Sequence, residues 1–277
     1  NNLEKVIFHA KLGTLKEKTQ RLAAIAEFIA PSDKNAQQAA LLCKSDIVSQ
    51  VVDEFPTLQG IMGYYYAKAE SLPDEVALAI RDHYKPQGPS DLCPSGASAV
   101  LALADKMDSL CGLMLAGEKP SGSKDPFALR RQSLGVVRII LENNLSINLS
   151  SLVEFCIAQY AGKVKATGDS LAQILNFLEE RLRYFFKAQY GASVISSVLD
   201  LASESNLLEI RGRLDAIKDF LDSKAGEDLQ IIYKRVSNIL GKNLPSAKID
   251  PAFFISDYEK DLFAAIQECE NKMDGLL

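Results

Sequence analysis

The sequence predicts an all-α fold. Three observations carry this: apolar residues recur at three- and four-residue spacing in nearly every segment, few short runs alternate with period two, and Pro/Gly clusters divide the chain at helix-length intervals. With 277 residues and 47% apolar side chains there is material for a sizeable core, and the length corresponds to about two domains rather than one globule.

Each helix is read from its periodic run and the breaker that ends it. Leu15 to Ile29 stops before Pro31, Ala36 to Val52 before Pro56, Leu58 to Ala69 before Pro73, and Asp74 to His83 before Pro86 to Pro94. Ala97 to Leu115 runs into Gly117 to Pro126, a loop that cannot be helical throughout because Pro lacks a backbone donor and Gly costs helix entropy. Asp125 then reads as an N-cap with Pro126 in the first helical position, and Ala128, Leu129, Leu134, Val137, Ile140 and Leu141 give the period of a helix to Asn143. Leu149 to Tyr160 ends before Gly162 to Gly168. Leu171 to Tyr190 ends at Gly191 and carries Glu179, Glu180, Arg181, Arg183 and Lys187 as a solvated face. Ser193 to Ala202, Leu207 to Ser223, Glu227 to Leu240 and Pro251 to Met273 complete the series, the last two separated by Leu244 to Pro251. The small and polar residues at 162–169 suggest a boundary between domains 1–162 and 169–277.

The net charge of −5 excludes non-specific nucleic-acid coating, so any RNA contact must be local. Such a place exists: between Lys119 and Arg138 stand Lys119, Lys124, Arg130, Arg131 and Arg138 against the single acid Asp125. These cations contact RNA phosphates or pair with carboxylates, and spacing leaves both readings open. The five cysteines, at 43, 93, 111, 156 and 269, are odd in number and form no C-x-x-C pair, which suggests neither disulfides nor zinc and fits a reducing cytoplasm. No signal peptide and no membrane-length apolar run is present. The first residue is not Met and the last follow directly on a helical pattern, so a piece of a longer protein is expected.

Only two histidines, His9 and His83, exist to serve acid–base or metal chemistry. Asp46, His83 and Asp105, each on a predicted helix among apolar neighbours, form a set that resembles the HD superfamily of metal-dependent phosphohydrolases. In that superfamily a His-Asp pair, further histidines and a late Asp hold divalent metal. Ser45 precedes Asp46 where that pattern has His, so two carboxylates and one imidazole are too few for a two-metal site. A degenerate, metal-free pocket is expected, with a metal-dependent phosphohydrolase built on Asp46, His83 and Asp105 as the alternative. Tyr64, Tyr65 and Tyr66 cannot all face a core, and at least one should be exposed. No phosphate-cradling Gly motif is present, so nucleotide binding has no support from motifs.

Several blocks in order also resemble the β subunit of bacterial-type, two-subunit glycyl-tRNA synthetase: Lys11 to Leu15 with Lys18 and Thr19; Lys44 to Asp46; Glu54 to Pro56 with Leu58 to Gly63 and Ala67; His83 to Pro86; Ala104 to Asp108; and Gly122 to Arg131. The likeness is strong to about residue 150. It is looser beyond, through Phe185 and Lys234 to Leu240, which resemble the opening helices of an anticodon-binding domain. The resemblance implies a degenerate HD-like domain followed by a partial anticodon-binding-like domain. It implies a heterotetrameric enzyme in which the α subunit forms glycyl-adenylate with ATP and Mg2+, while the β subunit supports binding of tRNA(Gly). No catalytic residue, cofactor or metal carries over to this chain, whose own RNA-contact candidates are Lys119, Lys124, Arg130, Arg131 and Arg138, then Lys234, Arg235 and Asn238. Arg235 and Asn238 have the alternative of packing or capping a helix, and the chain as a whole has that of joining subunits without touching RNA.

Overall fold

The computed structural model describes residues 2–200, 206–240 and 249–274. Among these, thirteen α-helices follow a short antiparallel ribbon of β1 (Ile7–His9) and β2 (Gly13–Thr14). The chain divides into two compact units, one ending at Phe220 and one beginning at Leu221.

The first unit is built around α6 (Gly96–Ala116), which is buried along its whole length apart from Gly96 and Leu115. A helix apolar on every side has to be surrounded. Its neighbours are α1 (Leu15–Ile29), α2 (Lys34–Leu42), α5 (Asp74–Asp82), α7 (Leu129–Glu142), α8 (Leu149–Ala158) and α9 (Ser170–Phe186). α1 begins at Thr14, whose hydroxyl accepts from the Glu17 amide while the Glu17 carboxylate accepts from the Thr14 amide, a complete capping box.

Charge is buried where α1 meets α6. The Asp108 carboxylate accepts from Arg21 Nε at 2.6 Å, Lys18 Nζ at 2.9 Å and the Tyr160 hydroxyl at 2.9 Å, so α1 and the end of the α8 segment converge on one side chain of α6. The Arg21 guanidinium also lies over the Tyr160 ring, 4.3 Å from its centroid. Gly112 makes room for this, since a Cβ there would stand 2.2 Å from the Tyr160 hydroxyl oxygen.

The expected helix over Ala36 to Val52 is broken into α2, a 3-10 turn over Ser45–Val48, and α3 (Gln50–Glu54) capped by the Ser49 hydroxyl. The break turns both Lys44 and Asp46 inward, which positions two apart on one helix cannot do. Likewise Leu58 to Ala69 resolves into a 3-10 turn over Pro56–Leu58 and α4 (Ile61–Ala69), joined by Gly60 at φ 80°, where a side chain would be strained. α7 starts at Leu129 and not at Pro126: Asp125 does cap it, but from across a turn, its two carboxylate oxygens accepting from the Leu129 and Arg130 amides at 2.8 and 3.0 Å.

The first unit continues past 162–169. α9 buries Ile174, Leu178, Leu182 and Phe186 against α6, α7 and α8. α10 (Ala192–Leu199) and α11 (Leu207–Leu221) follow, with Arg211 donating to the Leu141 carbonyl and Asn144, and Tyr190 to Asp215. These contacts make the 162–169 stretch a loop within the unit. The expected helix end at Ala202 and the breaker over residues 244–248 lie outside the described residues. The second unit contains α12 (Lys224–Leu240) and, after a 3-10 turn at Pro251–Phe253, α13 (Asp257–Asp274). No helix among the described residues is long and apolar enough to cross a membrane.

Asp108→Ala removes the carboxylate from between Lys18 and Arg21 and is expected to cost about 3–5 kcal/mol, because Arg21 stays buried without its carboxylate and Lys18 keeps only Asp105. Gly112→Ala, which collides with Tyr160, should cost about 1–3 kcal/mol. Urea unfolding of each variant measures both, and parent-like midpoints would contradict the packing described.

Candidate functional site

The side chains turned inward by the break after α2 meet α5 and α6 in the interior. Lys44 Nζ lies 2.8 Å from His83 Nε2, 3.2 Å from Asp105 Oδ2 and 4.0 Å above the Tyr84 ring. Lys18 approaches the same carboxylate from the other side, with Nζ 3.0 Å from Asp105 Oδ1 as an ion contact off the hydrogen-bond line, 2.9 Å from Asp108 Oδ2 and 2.8 Å from the Ser109 hydroxyl. Asp105 therefore stands between two buried ammonium groups.

His83 is held as one neutral tautomer. Its Nδ1 lies 2.7 Å from the Ile80 carbonyl and must carry the proton, which leaves Nε2 to accept from Lys44. Burial first, and the Lys44 ammonium second, push its pKa down from 6.5 to about 3. Burial opposes ionisation of Asp105, yet Lys18 and Lys44 hold its carboxyl well below the ordinary range. Asp108 is likewise depressed against its burial, by Lys18 and Arg21. Burial alone would lower the Lys44 pKa, but Asp105 and Tyr84 outweigh it and the ammonium is stabilised.

Of the three expected pocket residues, His83 and Asp105 are joined through Lys44, whereas Asp46 is turned away. One oxygen of Asp46 accepts from the Gly60 and Gly63 amides at 2.6 and 3.0 Å, closing the start of α4 in place of a side-chain cap. Its other oxygen is buried without a hydrogen-bond partner. A divalent cation would have to displace Lys44 and Lys18 from the atoms it needs, and no group of three or more His, Cys, Asp or Glu among the described residues is arranged to hold one. The donor set does not fit a hydrolytic metal centre.

A cavity of about 560 Å3 adjoins this network, lined by Lys18, Lys44, Tyr84, Asp105, Lys106 and Arg131, with Phe8 and Phe127 among its other walls. Lys106 is 5% exposed, and its ammonium donates to the Tyr84 carbonyl at 3.0 Å. Its aliphatic stem packs on Gly135, where a Cβ would meet Lys106 Cε at 2.8 Å. Burial, foremost, pushes its pKa down to about 8. Lys18, Arg21, Lys44, Lys106 and Asp108 were not singled out from sequence. The signal was present, since Lys18 lies in helical register with Leu15 and Leu22, and Asp105, Lys106 and Asp108 interrupt an otherwise apolar helix.

The expected RNA-contact residues fall into different settings. Lys119 and Lys124 are exposed on the loop after α6, where Lys119 reaches Gln173 and Lys124 closes a turn with Ser121. Arg130 and Arg131 line a groove with Arg181 and Tyr184 of α9, and Arg131 borders the cavity as well. Arg138 clamps a loop: it donates to the carbonyls of Gly88, Pro89 and Asp91 and pairs with Glu142 at 2.7 Å. Lys234, Arg235 and Asn238 are exposed on α12 in the second unit. Tyr65 and Tyr66 are exposed as the run of tyrosines required, while Tyr64 lies beneath Arg81.

Residues 1–200 match the family model described as glycyl-tRNA synthetase beta subunit. The glycine–tRNA ligase beta subunit of Rickettsia bellii (strain OSU 85-389) is 52% identical over 270 residues, covering 96% of this chain and 40% of that protein. Those of Rickettsia conorii (53% over 266 residues; 96% and 39%) and Rickettsia prowazekii (50% over 273; 99% and 40%) are similar to it to the same degree. The chain thus spans about 40% of the length of the curated relatives it matches.

A neutral buried His83 makes the fold acid-sensitive before its carboxylates titrate. Between the ordinary value of 6.5 and about 3 the unfolded chain takes up a proton that the native site refuses, so stability falls as pH drops through that window. Asp105 and Asp108, with depressed values, add their loss only as pH falls below the ordinary carboxylate value of 3.8. His83→Gln is expected to flatten the fall in Tm between about pH 6.5 and about pH 5, measured by calorimetry. An unchanged slope would contradict the neutral assignment.

Proposed function

Because the chain belongs to the glycyl-tRNA synthetase beta-subunit family, we propose that it forms a helical scaffold that helps position tRNA(Gly) for aminoacylation. Glycyl-adenylate formation, with its ATP and Mg2+, is carried by the α subunit of the assembled cytoplasmic enzyme, and this chain contributes shape and phosphate contacts. In this reading the first unit includes the degenerate HD-like domain, and the residues from 169 onward lead into the anticodon-binding region.

The observation that carries the reading is the family match, joined to a basic strip at the start of α7. Lys124, Arg130 and Arg131 have no ion pair among the described residues, in contrast to Arg138. A guanidinium without a carboxylate partner suits phosphate. Lys234, Arg235 and Asn238 recur at i, i+1 and i+4 along α12 and offer a second strip of the same kind. The hydrolase alternative is not favoured, because the ligand atoms it requires are committed to Lys18 and Lys44.

The test is the double variant Arg130→Glu/Arg131→Glu in the full-length β subunit reconstituted with α. It should weaken tRNA(Gly) binding and reduce the slope of log K against log salt by roughly two, one for each phosphate that is no longer neutralised. Unchanged binding and unchanged aminoacylation would overturn the reading.

A further inference from the structure

The buried network around α6 contains more positive than negative charge. Four cations, Lys18, Arg21, Lys44 and Lys106, are buried with three carboxylates, Asp46, Asp105 and Asp108; Asp46 faces the Gly60 and Gly63 amides and not the cations, and His83 is neutral. Asp108 is matched by Arg21 and Lys18, and Asp105 by Lys18 and Lys44. Lys106 has only the Tyr84 carbonyl. Arg131, which shares the cavity wall with it, has no ion pair among the described residues.

No direct ion pair compensates the Lys106 ammonium, and burial outweighs the attraction of the neighbouring Asp105 carboxylate, so its charge costs the fold stability. The aliphatic stem of Lys106 packs on Gly135, so a methionine of similar length would fill the same space without a buried ammonium. The excess charge is not scattered. It faces one cavity, of a size suited to a small-molecule ligand, with Phe8 and Phe127 on its other walls.

We propose that this cavity binds a phosphate monoester, with Lys106 and Arg131 donating to its oxygens, Lys18 and Lys44 forming a cationic floor, and the aromatic walls receiving an attached nucleoside. A phosphate monoester is close to a dianion at neutral pH and offers three strong acceptors, which answers two unpaired cations better than a carboxylate does. The fork of Arg131 and the point charge of Lys106 are complementary ways of meeting it. The site binds and does not hydrolyse, because the His83 lone pair that would serve as a base is engaged by Lys44. The phosphate belongs either to a free mononucleotide or to the 5′-phosphorylated end of an RNA strand, which present the same group. The proposal goes beyond the scaffold reading and stands without it.

Calorimetric titration of the full-length protein with inorganic phosphate, at ionic strength matched with chloride, tests it. Phosphate should bind and raise Tm, and 5′-AMP should bind where adenosine does not. Lys106→Met should remain folded, be at least as stable as the parent in chloride, and bind phosphate at least about tenfold more weakly, as expected when a charge-assisted hydrogen bond to the ligand is removed. If that variant fails to fold, Arg131→Gln, at an exposed position, should show the same loss of phosphate affinity with Tm in chloride unchanged. Short RNAs with and without a 5′-phosphate then separate the two sources: preference for the phosphorylated strand over 5′-AMP assigns the site to an RNA end, and the reverse to a free nucleotide. Equal binding of phosphate by parent and folded variant, no binding by the parent, or equal binding of adenosine and 5′-AMP would each overturn the proposal. Inorganic phosphate contains no RNA, so its failure to bind leaves the tRNA reading untouched.

Discussion

The buried carboxylate of Asp108 is the constraint on which the rest of the first unit depends. It sits on the central helix, surrounded by α1, α2, α5, α7, α8 and α9, and accepts from Arg21 and Lys18 of α1 and from Tyr160 just beyond α8. Ionising it inside a protein is costly, and the arrangement holds because two cations and a hydroxyl satisfy it together. Once α1 is fixed against α6, Lys18 also reaches Asp105, Asp105 engages Lys44, and Lys44 fixes the tautomer of His83. The network extends step by step from that one carboxylate.

This continuity explains why the donor set does not fit a hydrolytic metal centre although it retains a histidine and an aspartate. A hydrolytic site keeps lone pairs free for metal and water. Here ammonium groups take those lone pairs and supply positive charge at fixed positions. The same substitution of lysine for metal leaves the interior with surplus charge, which gathers at one cavity between α6 and α7. The outer surface at the start of α7 carries its own unpaired arginines. In a family whose members are synthetase beta subunits, an interior fixed by ion pairs and a local basic strip at the start of α7 support the positioning role proposed above.

The all-α class, the central helix over residues 97–115 and the start of α1 at Leu15 were all legible from period and breakers, because local rules decide them. The break between α2 and α3 was not, since it depends on Asp46 capping α4 across 14 residues of sequence. The start of α7 was displaced because Asp125 caps from beyond a turn in which Ala128 takes a left-handed conformation. Extension of the first unit to Phe220 rests on α9 and α11 burying narrow apolar stripes whose partners lie far away in sequence. His83 and Asp105 stood out as polar residues on apolar helices. Lys18 and Lys44 did not, because a lysine taken singly reads as a surface residue, and the pairing of Lys18 with Asp108 spans 90 positions.

The central claim is that an ammonium group, and not a metal or a proton, sits at His83 Nε2. Long-range proton–nitrogen correlation spectra of the imidazole, recorded on 15N-histidine-labelled protein at neutral pH, read this directly, with one equivalent of zinc added as a challenge. The expected result is a protonated Nδ1 and an unprotonated, hydrogen-bonded Nε2, unmoved by zinc. An imidazolium spectrum, or a shift of Nε2 on adding zinc, would contradict it.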